Sequence, residues 1–156
     1  MKRLLLALFL VLCFTTSALA VGTVTITSST ISVQAQPTRK VITLSWTCEA
    51  GAATIPNTTI SATTYGIEGW YFYSGETNPG GTAPTTLYDI TILDAEGIDL
   101  AGGLLMNRSS TATEMVNIAL GTLGQYPIVR GDLTFTLSNN AVNAALGTVT
   151  LIFIAN

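Results

Sequence analysis

No histidine occurs anywhere in this chain, and that absence removes more chemistry than any residue present supplies. Without an imidazole there is no Ser-His-Asp or Cys-His arrangement, and the commonest protein metal ligand is missing. Charge is scarce as well, with six Lys and Arg and nine Asp and Glu in 156 residues. Beyond residue 20 the bases are Arg39, Lys40, Arg108 and Arg130, four against nine acids, a formal charge of −5. Nucleic-acid binding rewards clusters of Lys and Arg, and anionic membranes do the same, so the composition argues against both partners.

Cysteine is nearly absent. Cys13 lies in the apolar opening run, which leaves Cys48 alone in the rest of the chain and excludes an intrachain disulfide there. Leu10, Val11 and Leu12 before Cys13 lack the small residue of a lipoprotein cleavage site, so no lipid anchor is expected. Cys48 itself reads as a small buried apolar residue, with an intermolecular disulfide as the alternative. There is no zinc-ligand cluster and no phosphate-binding GxxxxGK[ST] loop. Helical periodicity is missing after residue 20, and so is the strand–helix alternation of an α/β enzyme.

The opening residues are informative. Met1-Lys2-Arg3, the apolar run Leu4 to Phe14 and the small-x-small site Ala18-Leu19-Ala20 form the pattern of a secretory signal peptide cleaved after Ala20. The run is about half the length of a membrane span, so the expected location is exported, with no membrane span after cleavage. Residues 21–156 then form one domain, long enough to bury a core. Threonine fills 24 of those positions. It is β-branched, fits a pleated strand and can face water there, so the exposed sheet faces should be covered by hydroxyls rather than charges.

Alternation places the strands. Val21 to Val33 reads as one or two strands broken near Ser28-Ser29, and Lys40 to Cys48 as a strand with Ile42, Leu44 and Trp46 on one face. Thr58 to Thr64 is a short hydroxyl-rich strand. Gly66 to Tyr73 is an aromatic strand apolar on both faces, as a central strand should be. Ser74 to Thr86, with three glycines and two prolines, reads as a long exposed turn. Leu87 to Leu93 resumes alternation, and Asp94-Ala95-Glu96-Gly97 turns it into a hairpin with Ile98 to Leu100. Met115 to Leu120, Tyr126 to Val129, Leu133 to Ser138 and Gly147 to Ala155 complete the set, after an irregular stretch at 101–114 and a loop at 121–125. Seven to nine short strands mean an all-β fold, an antiparallel β-sandwich of jelly-roll-like or immunoglobulin-like type. Trp46, Phe135, Leu137, Leu151 and Phe153 are the expected core.

Three features are candidate sites. Asp94, Glu96 and Asp99 put three carboxylates into six residues at a turn, a candidate weak calcium site of the kind found in extracellular modules, although acids favour turns for their own reasons. No other cofactor is expected. Nothing places two carboxylates across a sugar cleft as glycoside hydrolysis needs. The run Trp70-Tyr71-Phe72-Tyr73 could stack sugars on an exposed face, but a central strand needs such residues for core packing. Asn57-Thr58-Thr59 and Asn107-Arg108-Ser109 match the glycosylation sequon, which carries little weight if the host is bacterial.

The segment from Ala83 to Asp94, read as APTTLYDITILD, continues through Gly97-Ile98-Asp99-Leu100 to Asn107-Arg108-Ser109. Together with Gly131-Asp132-Leu133-Thr134-Phe135 and Gly147-Thr148-Val149-Thr150-Leu151 it resembles small tailed-phage, virion-associated proteins over roughly residues 38–156. The resemblance implies a structural protein rather than an enzyme and supplies no functional residues. The leader departs from that pattern, because tailed-phage particles assemble in the cytoplasm. Two readings therefore stand: a non-enzymatic virion-associated or prophage-derived module, and an exported surface subunit or adhesin that self-assembles or binds glycans. Both work by self-association or by docking on a larger assembly. Val21 to Val33 and Gly147 to Ala155 carry no charge, the usual guard of an exposed strand edge, and are the expected points of contact.

Overall fold

The computed structural model describes residues 21–32, 34, 36–118, 120 and 125–155, and the expected leader at 1–20 lies outside them. Among the described residues there are eight strands: β1 (Thr23–Ile31), β2 (Arg39–Thr47), β3 (Thr58–Ile60), β4 (Tyr71–Pro79), β5 (Asp89–Leu93), β6 (Glu114–Asn117), β7 (Leu133–Ser138) and β8 (Leu146–Ile154). One four-residue helix, α1 (Ala62–Tyr65), follows β3. The strands form two antiparallel sheets, a five-stranded one in the order β1-β2-β8-β4-β6 and a three-stranded one in the order β3-β7-β5. After the β1–β2 pair, each successive strand belongs to the opposite sheet from the one before it. The chain is thus an all-β sandwich.

One core lies between the sheets. Ile42, Leu44 and Trp46 of β2 and Val149, Leu151 and Phe153 of β8 face Ile60, Ile90, Ile92, Leu133 and Phe135 of the smaller sheet. The period of two in these strands puts every second residue inward, and the intervening Thr and Ser face out. Trp46 lies across Gly147, where a Cβ would come 2.7 Å from its ring and 2.9 Å from the Asn78 carbonyl oxygen. Only glycine lets β2 and β8 pack around the indole there. Leu137, expected inside, is half-buried. β3 ends opposite Phe135, so no strand covers Leu137 on that side.

Several boundaries differ from the sequence expectation. β1 is continuous through Ser28 and Ser29, paired with β2 along its whole length. The aromatic strand starts at Tyr71, because Gly66 (φ 61°) closes α1 and Gly69 (φ 78°) makes a further left-handed turn. It then runs on to Pro79, through residues expected to form a turn. Pairing on both sides, with β8 and β6, overrides their weak strand preference. A register shift between Phe72 and Ser74 absorbs Tyr73, Gly75 makes room for the Leu105 side chain, and Pro79 stands at the strand end, where no ladder donor is needed. Thr58 to Thr64 divides into β3 and α1, since Ser61 caps the helix by accepting from the Thr64 amide (3.3 Å). Residues 98–100 do return beside β5, but as a single bridge between Leu93 and Asp99 rather than a strand.

The largest revision concerns β8. Its uncharged sequence suggested a free edge. The strand lies instead in the middle of the sheet between β2 and β4, where a hydrogen-bonded neighbour on each side leaves no edge for charge to guard.

Candidate functional site

Edges decide what a sandwich can touch. The smaller sheet ends at β3, only three residues long, and at β5. The outer side of β5 is covered by the segment that follows it, with Leu100 donating to the Ile92 carbonyl (2.8 Å) and Ile90 donating to Leu105 (3.1 Å). The larger sheet ends at β6, four residues long and flanked by the Arg108–Glu114 ion pair (3.7 Å). Its other end is β1. This strand has nine residues, no charge, and β2 as its neighbour on one side only. Among the described residues β1 is the one long strand edge that neither covering chain nor charge protects. Ile31 at its end is 47% exposed.

The outward face of the same sheet continues this character. Pairing aligns Thr23 with Thr47, Thr25 with Ser45 and Thr148, and Thr27 with Thr43 and Thr150. Thr43 and Thr150 share a hydroxyl contact of 3.4 Å. These eight positions carry hydroxyls and no charge, so the surface next to the open edge is polar without being electrostatic. The sequence expectation of hydroxyl-covered faces holds here, and pairing adds the alignment across three strands that spacing alone could not reveal.

The candidate metal residues are placed otherwise. Asp94 Oδ1 accepts from the amides of Glu96 (3.1 Å) and Ile98 (2.8 Å) and holds its own turn, with Gly97 in the left-handed region (φ 81°). Asp99 Oδ1 accepts from Ile92 and Ala101 (3.1 Å each), and its Oδ2 accepts from Gly103 (2.7 Å). Its oxygens are thus occupied by backbone donors. Glu96 is exposed. Among the described residues no group of three or more His, Cys, Asp or Glu side chains gathers to hold a metal ion. A surface cavity of about 450 Å³ lies beside this turn, lined by apolar side chains including Ile98, Leu104 and Ile128, with Arg130 on its wall.

Of the aromatic run, Phe72 is in the core against Phe153 (ring centres 5.2 Å apart), and Tyr73 meets Tyr126 edge-on at 5.4 Å. Trp70, Tyr71 and Tyr73 are half-buried, so no open row of rings results. Asn57 and Asn107 are both exposed.

Two polar side chains that sequence reading passed over hold the loops. Asp89 is buried, accepts from the Asn107 amide (2.7 Å) and pairs with the Asn139 side chain. Both asparagines have positive φ, so this one carboxylate fixes two strained loop positions. Asn140 donates to the carbonyls of Ala53 (2.9 Å) and Val142 (3.0 Å) and accepts from Thr85 (3.0 Å) and Val142 (3.2 Å), tying three loops together. The signal available in the sequence was only Asp before a strand and Asn-Asn after one.

Asn140 also donates to the sulfur of Cys48 (3.2 Å), which is buried and free. Burial pushes the thiol above its ordinary 9.0, and the Asn140 contact only partly offsets this. Burial likewise raises the Tyr88 hydroxyl above 10.0; Thr77 and Arg108 pull it back, and Glu114 adds to the rise. The Tyr88 and Thr77 hydroxyls neighbour one another in the core, and neither meets a partner of good hydrogen-bond geometry. Both acids hold their protons more tightly when folded. Their contribution to stability is therefore complete below the unfolded values and is lost as pH climbs through the raised ones. Alkylation at Cys48, read by peptide mass at neutral pH, should run at least about a hundredfold slower in the folded protein than in urea. The urea midpoint should fall on the alkaline side of 9.0. A fast-reacting native thiol would contradict this environment.

No protein family, curated protein or solved structure matches the chain. Among the described residues no helix is long and apolar enough to cross a membrane.

Proposed function

We propose that this protein is a non-enzymatic structural module that works by association, of the virion-associated kind its hairpin segments resemble. The observation that carries the reading is β1, a nine-residue, uncharged edge with backbone donors and acceptors open along one side. An open edge of this length accepts an additional strand through main-chain hydrogen bonds, and natural sheets that do not use such an edge guard it with charge or shortness. The other edges here are short, covered or flanked by charge. A second reading, an exported surface subunit or adhesin, employs the same edge and is favoured by the opening pattern from Met1 to Ala20.

Fractionation of the host tests both. Ser28 and Thr30 are exposed on β1 and lie outside the hydroxyl rows, so Ser28→Glu with Thr30→Glu charges the edge and sets no like charges across the β1–β2 ladder, where Thr30 stands opposite Lys40. Wild-type protein should partition with assembled material, particles for the first reading and cell envelope for the second. The double variant should stay in the free fraction with an unchanged melting temperature. Wild-type protein found entirely free, or a variant that assembles equally well, would overturn the proposal.

A further inference from the structure

Resting on that reading, we infer that the strand received by β1 is β1 of a second copy, paired antiparallel about a two-fold axis at Thr27. The register follows from the extent of the strand. β1 runs from Thr23 to Ile31, so centring on Thr27 pairs all nine residues: Thr27 with its own copy, Thr25 with Ser29, Thr23 with Ile31. Any other centre leaves residues at one end unpaired. At about 3.4 Å per residue the joint is about 30 Å long, and it turns two five-stranded sheets into one of ten.

Charge supports this choice over the alternatives. The bases nearest the edge are Arg39 and Lys40, which sit on β2 opposite Ile31 and Thr30. Antiparallel pairing sends the two Arg39–Lys40 pairs to opposite ends of the joint. Parallel pairing in register would bring all four together at one end, a like-charge cost with nothing acidic on β1 to offset it. Pairing β1 with β6 of another copy would engage at most four residues and bring the Arg108–Glu114 pair against the joint. Across the two-fold joint the outward pairs are hydroxyl with hydroxyl at the centre, Thr27 with Thr27 and Thr25 with Ser29. Such cross-strand pairs are favourable, and their side chains need little ordering. The hydroxyl row Thr150–Thr43–Thr27 then continues across the axis into the same row of the second copy, since residues directly opposite one another share a face.

The test uses the purified protein at rising concentration in sedimentation velocity, together with single cysteines on β1. Opposed residues bring their Cα atoms within about 4.5–5.5 Å, a separation a disulfide can bridge. Thr27→Cys should oxidise to a covalent dimer. Thr23→Cys and Ile31→Cys should give no covalent dimer alone and cross-link when mixed. Cys48, being buried, stays out of the reaction. Wild-type protein should dimerise reversibly, and Ser28→Glu with Thr30→Glu should raise the dissociation constant on the order of tenfold or more. A strict monomer with no Thr27→Cys cross-link overturns the homotypic joint, as does equal cross-linking at Thr23 and Thr27. If that result accompanies edge-dependent assembly in the host, the edge receives a strand of different sequence and only the second-copy inference fails. If the edge is also dispensable in the host, the association reading falls with it.

Discussion

Replacing Phe135 with alanine is expected to cost about 3–5 kcal/mol of folding stability, the largest loss of any single change to a residue of the smaller sheet. Phe135 is fully buried at the centre of β7, with Thr58 of β3 opposite on one side and Ile92 of β5 on the other. It faces the inner surface of the larger sheet across the core, in a site enclosed on every side. A cavity there cannot collapse without moving a strand in one sheet or the other, so both the transfer and the cavity contributions should be felt. Urea unfolding measures it: the midpoint should drop while the slope stays constant, the mark of lost stability rather than altered compactness. Thr134→Ala, one residue along and pointing the opposite way, should change stability by no more than about 0.5 kcal/mol. Equal losses at the two positions would contradict the inward assignment of Phe135.

That contrast also shows what kind of information the sequence carried. β2, β5 and β7 alternate cleanly, so their inward sets (Ile42, Leu44 and Trp46; Ile90 and Ile92; Leu133 and Phe135) were readable residue by residue. A half-covered strand writes its orientation into a period of two. β4 does not. Glu76 and Asn78 have little strand preference of their own; Glu76 is held by β6 and β8 and Asn78 by β8, partners some 40 and 70 residues further along the chain. β8 misled for the converse reason. A charge-free apolar run fits an unguarded edge or a central strand, and only sheet order tells them apart. β1 shared that ambiguity and proved to be the edge.

The candidate site was legible in part for the same physical reasons. The lack of charge along β1 can be read directly, whereas the alignment of its threonines with Ser45 and Thr148, or with Thr43 and Thr150, exists only once register is set. The loop anchors Asp89 and Asn140 were illegible, because a single polar residue beside a strand does not reveal which distant amides it will meet. Asn140 and Thr85 are 55 positions apart in the chain. These anchors hold the connections beside β5 and the loop after β2, whose Glu49 and Thr54 lie against Gly22 just before β1.

The acidic turn offers the second large effect, and it separates a structural carboxylate from a metal ligand. Asp99→Ala is expected to cost about 2–4 kcal/mol, because three backbone amides lose a charged acceptor together. One of them, Ile92, belongs to β5, so the loss reaches the core strand as well as the loop. Asp99→Asn should be damaging too: a side-chain amide can keep the Oδ1 contacts, but it would turn an N–H donor toward the Gly103 amide. Asp94→Ala removes an acceptor that serves only its own exposed turn and should cost about 1 kcal/mol. The decisive comparison is the same unfolding series in millimolar calcium and in chelator. A carboxylate occupied by backbone donors has no stabilisation to gain from the ion, so wild type and each variant should unfold at the same denaturant concentration in both. A calcium-dependent rise in wild-type stability that disappears in Asp99→Ala would mean that the side chain leaves its amides to bind metal, since any ligand specific to the folded state must raise stability as its concentration rises. With the amides kept, the turn is a clasp that closes the covering segment over β5, which leaves β1 as the open edge of the sandwich.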